Sequence, residues 1–106
     1  MSKFDEREQD FEARYKHDQE LAFKVASRRN KLLGLWAAGH LGLIGAAAET
    51  YAQDIVAAEF AKPGHAEIIA KLARDFAAKE IVIDAAQITD EYHRLAEVAR
   101  KQVMKA

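Results

Sequence analysis

The chain has 106 residues, half of them hydrophobic, with no cysteine and a net charge of −1 at pH 7. That length suits one domain with a single modest core. The lack of cysteine removes disulfides, thiolate metal sites and cysteine nucleophiles, and the near-neutral charge argues against general affinity for nucleic acid, which needs a clear excess of Lys and Arg. One Pro and five Gly among abundant Ala, Lys, Glu, Arg and Leu is the composition of helices joined by short turns. The expected fold class is therefore all-α.

Residues 1–20 hold seven acids against four bases, net −3, which leaves +2 for residues 21–106. So many charges and no apolar stretch exclude a secretory signal, no apolar run approaches the roughly 18 residues of a membrane span, and the expected location is the cytoplasm. The large apolar residues of the segment are Phe4, Phe11 and Tyr15, spaced i, i+7, i+11 on one helical face. That stripe is too thin to hold a helix against a core. Opposite charges at i,i+4 (Asp10 with Arg14, Glu12 with Lys16, Glu20 with Lys24) each add a few tenths of a kcal/mol to a helix. The segment reads as a mobile, partly helical arm over 1–20 that becomes fully helical against a partner. Its alternatives are a frayed chain end and an amphipathic helix that enters a groove.

From Leu21 the pattern thickens. Leu21, Val25, Leu32, Leu35 and Trp36 recur at helical spacing and predict a long first helix that stops around Gly39, with Gly42 close behind. Residues 45–62 form the second helix, with Tyr51, Ile55, Ala58 and Val56 as candidate inward residues, ended by Pro63-Gly64. A third helix is expected over 66–78, burying Ile68 or Ile69, Leu72 and Phe76. Ile81-Val82-Ile83 reads as an extended connector, and Asp84 with Gln87 three residues on resembles a capping box that opens the last helix. Ile88, Tyr92, Leu95, Ala99 and Val103 give that helix its stripe. Four helices with short connections make a four-helix bundle over 21–106.

The sequence offers little for catalysis. His17, His40, His65 and His93 lie in different predicted segments, and Asp90 with His93 is one acid-x-x-His pair where a bundle di-metal site needs two plus further carboxylates. The serines are Ser2 and Ser27 alone, and Gly39, Gly42 and Gly45 are spaced wrongly for a phosphate loop. No metal and no enzymatic activity are expected. The main basic cluster is Lys24, Arg28, Arg29 and Lys31, beside Asn30. It reads either as a solvated helix face or as a contact for phosphate, in a nucleotide or in nucleic acid. That second reading supports an alternative function, a helical nucleotide-sensing or nucleic-acid-associated module.

The run from Phe23 to Ala38 contains Arg28-Arg29-Asn30-Lys31-Leu32-Leu33-Gly34-Leu35-Trp36-Ala37. This run resembles the signature of the zeta-type inhibitor subunit of alphaproteobacterial F-type ATP synthases. The resemblance extends to Phe4-Asp5-Glu6-Arg7-Glu8 and Glu12-Ala13-Arg14-Tyr15 upstream, and to Tyr51-Ala52, Gly64-His65 and Gln102-Val103-Met104 downstream. It implies a non-catalytic regulatory subunit whose mobile segment, about Ser2 to Gln19, enters the interface between catalytic subunits near the rotor and obstructs hydrolysis more than synthesis. Phe4, Phe11 and Tyr15 would then anchor in an apolar groove, and Arg7, Glu8, Glu12 and Arg14 would meet its charged rims. The implied partners are the catalytic-head and rotor subunits, which would hold the protein at the periphery of the inner membrane without insertion. Adenine-nucleotide binding is associated with the family, with no residues to carry over. The compact, near-neutral bundle suggests a monomer when free.

Overall fold

The computed structural model describes the backbone of residues 3–62 and 64–105 and the side chains of 17–59, 61–62 and 64–105. Four helices follow one another: α1 (Lys3–His40), α2 (Gly45–Ala61), α3 (His65–Ala78) and α4 (Ala85–Lys105). The described residues contain no strand, as the all-α expectation requires. At a rise of about 1.5 Å per residue, the 38 residues of α1 run about 57 Å. They account for most of the long dimension of a molecule measuring 65 × 25 × 22 Å. α1 crosses the expected arm boundary at residues 20–21 as one helix.

Contacts fix the helix directions. Gly34 lies against Ala52 and Ile55, while Asn30 meets Glu59, so α2 runs antiparallel to α1. Arg29 covers the Tyr92 ring, which sets α4 beside α1, and His65 beside Tyr92 ties the start of α3 to the middle of α4. The core between them contains Leu33, Ile55, Ile68, Leu72, Phe76 and Ile88, all fully buried. Each such side chain stabilises the fold by roughly 1.5–3 kcal/mol relative to exposure.

The predicted core holds in α3 and α4. Ile68 and Ile69 are both buried, with Leu72, Phe76, Ile88, Tyr92, Leu95 and Ala99, and Val103 is half-buried. In α1 the expected phase is off by about one residue. Leu33, Ala37, Ala38 and Leu41 are buried, while Leu21, Val25, Leu32, Leu35 and Trp36 are each half-buried. The physical reason is the close approach of α2. A Cβ on Gly34 would sit 2.6 Å from the Ala52 Cα, so the seam takes a glycine at its closest approach, buries Leu33 and leaves Leu32, Leu35 and Trp36 at its margins. Trp36 sits there, edge-on to Phe76 at 5.8 Å and to His40 at 5.0 Å between ring centres.

Two helix ends share one hydrogen-bond pattern. At the end of α1, Leu43 N donates to Ala38 O at 2.9 Å and Gly42 N to Gly39 O at 3.2 Å, with Gly42 left-handed at φ 79°. This is a Schellman motif, so Gly42 rather than Gly39 ends the helix. At the end of α3, Ile81 N donates to Phe76 O at 2.9 Å and Glu80 N to Ala77 O at 3.0 Å. Here the left-handed residue is Glu80, at φ 58°. Residues 81–84 belong to neither helix nor strand, and the extended connector expected there is bent, since Ile83 N donates to Ile81 O at 3.0 Å in a tight turn centred on Val82. The capping box is present: Gln87 N donates to Asp84 Oδ1 at 2.8 Å and Asp84 N to Gln87 Oε1 at 2.9 Å.

Candidate functional site

The residues expected to meet a partner first, Phe4, Arg7, Glu8, Phe11, Glu12, Arg14 and Tyr15, lie on α1, and their side chains fall outside the described residues. The described part of the site therefore begins at His17. From there α1 presents His17, Leu21, Lys24, Arg28 and Lys31, spaced i, i+4, i+7, i+11, i+14 on one face. Gln53, Val56 and Ala57 of α2 and Gln102 and Val103 of α4 complete a groove of about 940 Å³. Phe23 and Ser27 also line it.

The basic cluster splits between two faces. Lys24 and Arg28 are exposed, and neither has an ion pair among the described residues. Lys31 reaches Glu49 at 3.8 Å, with both side chains about half exposed, a contact worth little in water. Arg29 turns the other way, about 100° round the helix from Arg28. Its side chain is 13% exposed, and its guanidinium lies 4.4 Å from the centre of the Tyr92 ring.

Arg29 belongs to a polar cluster that joins three helices. Its Nη2 donates to both Glu59 carboxylate oxygens at 3.0 Å, and its Nε donates to Asn30 Oδ1 at 3.1 Å. The fully buried Asn30 donates in turn from Nδ2 to Glu59 Oε2. Every buried polar side-chain atom among the described residues has a partner, as a buried charge demands. Burial pushes the Tyr92 hydroxyl above the ordinary tyrosine range; nearby Arg29 opposes the shift and Glu59 adds to it. The cluster holds α1, α2 and α4 in register and commits Nε and Nη2 of Arg29 to Asn30 and Glu59, away from the face of Lys24 and Arg28.

A second polar contact ties α2 to α3. Tyr51 Oη donates to Asp75 Oδ2 at 2.6 Å, and Lys71 Nζ donates to the same oxygen at 3.0 Å. Burial raises the Tyr51 hydroxyl strongly, with the Asp75 hydrogen bond and charge adding to it, so it remains a donor. For Asp75 burial pulls upward, but the hydrogen bonds from Tyr51 and Lys71 outweigh it and hold the carboxyl below its usual value.

Sequence reasoning placed Asn30 beside the basic cluster without a role and did not single out Glu59. The cue for Asn30 is its spacing, since Leu33, Gly34 and Ala37 follow it at i+3, i+4 and i+7 on the buried face of α1. Glu59 lies 29 residues away, so the pairing has no local signature. Among the histidines, His65 and His93 approach to 6.3 Å between ring centres, and each also meets Tyr92. The described residues hold no group of three or more ligands able to bind a metal and no helix long and apolar enough to cross a membrane.

The sequence profile of the family described as ATPase inhibitor subunit zeta matches residues 1–102. No curated protein and no solved structure matches the chain significantly. The matched stretch takes in the N-terminal segment and every residue lining the groove except Val103. Within the run Arg28–Ala37, the structure separates fold from surface: Arg29, Asn30, Leu33, Gly34 and Ala37 face neighbouring helices, and Arg28 faces solvent.

Proposed function

The chain belongs to the ATPase inhibitor subunit zeta family, and from that premise we propose that it blocks ATP hydrolysis by F-type ATP synthase by inserting residues 2–19 at a catalytic interface near the rotor. The observation that supports this most is the continuity of α1. One helix runs from Lys3 into a seam buried against α2, where Leu33 and Gly34 lie. A segment that enters as helix spends less binding energy on ordering than a coil, whose backbone ordering costs roughly 1–2 kcal/mol per residue.

In this mechanism residues 1–20 act and residues 21–106 hold them. Phe4, Phe11 and Tyr15 fill apolar pockets, and Arg7, Glu8, Glu12 and Arg14 meet the charged rims. Because a few buried aromatic anchors dominate most interfaces, Phe11→Ala or Tyr15→Ala should weaken inhibition by at least about 1 kcal/mol, roughly fivefold in the half-inhibitory concentration. The measurement is ATP hydrolysis by the soluble catalytic head, with circular dichroism to show an unchanged fold. Unchanged inhibition in both variants would remove these residues from the mechanism. The synthase would place the protein at the periphery of the inner membrane.

A further inference from the structure

We infer that the groove along α1 docks an acidic amphipathic helix on the surface of the ATPase, beside the interface that receives the N-terminal segment. The identity of the partner rests on the proposed function; the character of the groove does not. Among the described residues Lys24, Arg28 and Lys31 supply its fully charged side chains, and no acid lines it. Lys24 and Arg28 have no ion pair among the described residues, and the exposed Lys31–Glu49 contact is lost at little cost.

Between the cations the groove offers half-buried apolar side chains, Leu21, Val56 and Val103. Carboxylates at helical spacing with apolar residues between them match that pattern. From His17 to Lys31 the face extends about 21 Å, the length of a helix of roughly 14 residues. A compact phosphate fits less well. Its charge is best held by backbone N–H groups at a helix N-terminus, whereas the groove is lined by the middle of α1 and α2 and the last turns of α4.

Position along the helix gives the groove its partner. Lys24 lies nine residues beyond Tyr15, about 14 Å along the same axis. A surface that receives the N-terminal segment as far as Tyr15 therefore meets the start of the groove. Two contacts on one continuous helix divide the work: the segment obstructs the catalytic interface, and the groove steers and retains the inhibitor through charge.

The test compares the full-length chain with a Lys24→Glu, Arg28→Glu double variant and a Lys24→Gln, Arg28→Gln double variant. Association with the soluble catalytic head is followed by biolayer interferometry at low and high salt, and hydrolysis is assayed in parallel. Both positions are exposed, and circular dichroism checks the helix. The charge-reversed variant should associate at least about tenfold more slowly at low salt, with the neutral variant between it and the parent. The parent's rate should fall as salt rises and the reversed variant's should not, while saturating amounts of every variant still block hydrolysis.

Association of the reversed variant at the parent rate in low salt would overturn the inference. So would loss of ADP or pyrophosphate binding with unchanged association, which would make the groove an anion site. The two proposals fail separately. Full inhibition by Phe11→Ala and Tyr15→Ala variants would refute the role of the segment and leave the salt-dependent association through the groove intact.

Discussion

Between Asn30 and Ala38, α1 buries Asn30, Leu33, Gly34, Ala37 and Ala38, whereas between His17 and Arg28 the same helix buries no side chain fully and leaves Lys24 and Arg28 exposed. Propensity does not set the difference, since both stretches are continuous helix. Packing does. The later half passes so close to α2 that Gly34 admits no Cβ without a shift of the Ala52 backbone. The earlier half meets its neighbours across a groove of about 940 Å³. A helix fixed firmly at one end can present the other to a partner without losing its fold.

Substitutions in the two halves should therefore separate stability from function. The largest effect is expected from Leu33→Ala, which empties part of the core and should lower unfolding free energy by roughly 2–5 kcal/mol, read by urea denaturation. Molecules that remain folded should inhibit normally, and a specific loss of inhibition at full folding would break the comparison. Gly34→Ala should cost about 1–3 kcal/mol, because the added methyl group meets backbone rather than a flexible side chain. The matching change in the earlier half, Ala22→Gly at an exposed position, should cost only about 1 kcal/mol from helix propensity.

Tyr51→Phe should cost about 1–2 kcal/mol through loss of a hydrogen bond to a carboxylate. Its sign with pH follows from Asp75. A carboxyl held below its usual value contributes stability that is present above the unfolded pKa, near 4, and is lost as pH falls through the lower, folded value. Thermal melts from neutral pH down to about pH 2 should show the parent losing more stability on acidification than Tyr51→Phe. Equal acid losses would take Tyr51 out of that linkage.

The smallest expected effect is a gain. Glu80 occupies the left-handed position at the end of α3 that Gly42 fills at the end of α1. Removing its Cβ relieves a penalty of roughly 1–2 kcal/mol, part of which returns as greater freedom of the unfolded chain. Glu80→Gly should raise unfolding free energy by about 0.5 kcal/mol, with inhibition unchanged.

The sequence was most legible where large apolar residues stood alone on a polar background. Ile68, Leu72 and Phe76 in α3 and Ile88, Tyr92, Leu95 and Ala99 in α4 lie where their spacing put them. It was least legible from Leu32 to Ala38, where every residue is apolar or Gly and periodicity cannot set the phase. There the contact with α2 decided, and it buried Leu33, Gly34, Ala37 and Ala38. The basic cluster shows the same limit. Arg29 and Arg28 are neighbours in sequence, yet a partner 30 residues away turns Arg29 inward to Glu59. Local signals did survive at the ends, since the Asp84–Gln87 box needs four consecutive residues and nothing beyond them.

The most direct test of the central claim is ATP hydrolysis by the soluble catalytic head of an F-type ATP synthase from the same source, with added full-length chain or a version lacking residues 2–19. Both proteins should first be shown to be folded by circular dichroism. Block of hydrolysis by the full chain and none by the shortened one is the predicted result, and it would place the inhibitory action in the N-terminal segment. Equal inhibition by both would contradict that account and move the action to residues 20–106.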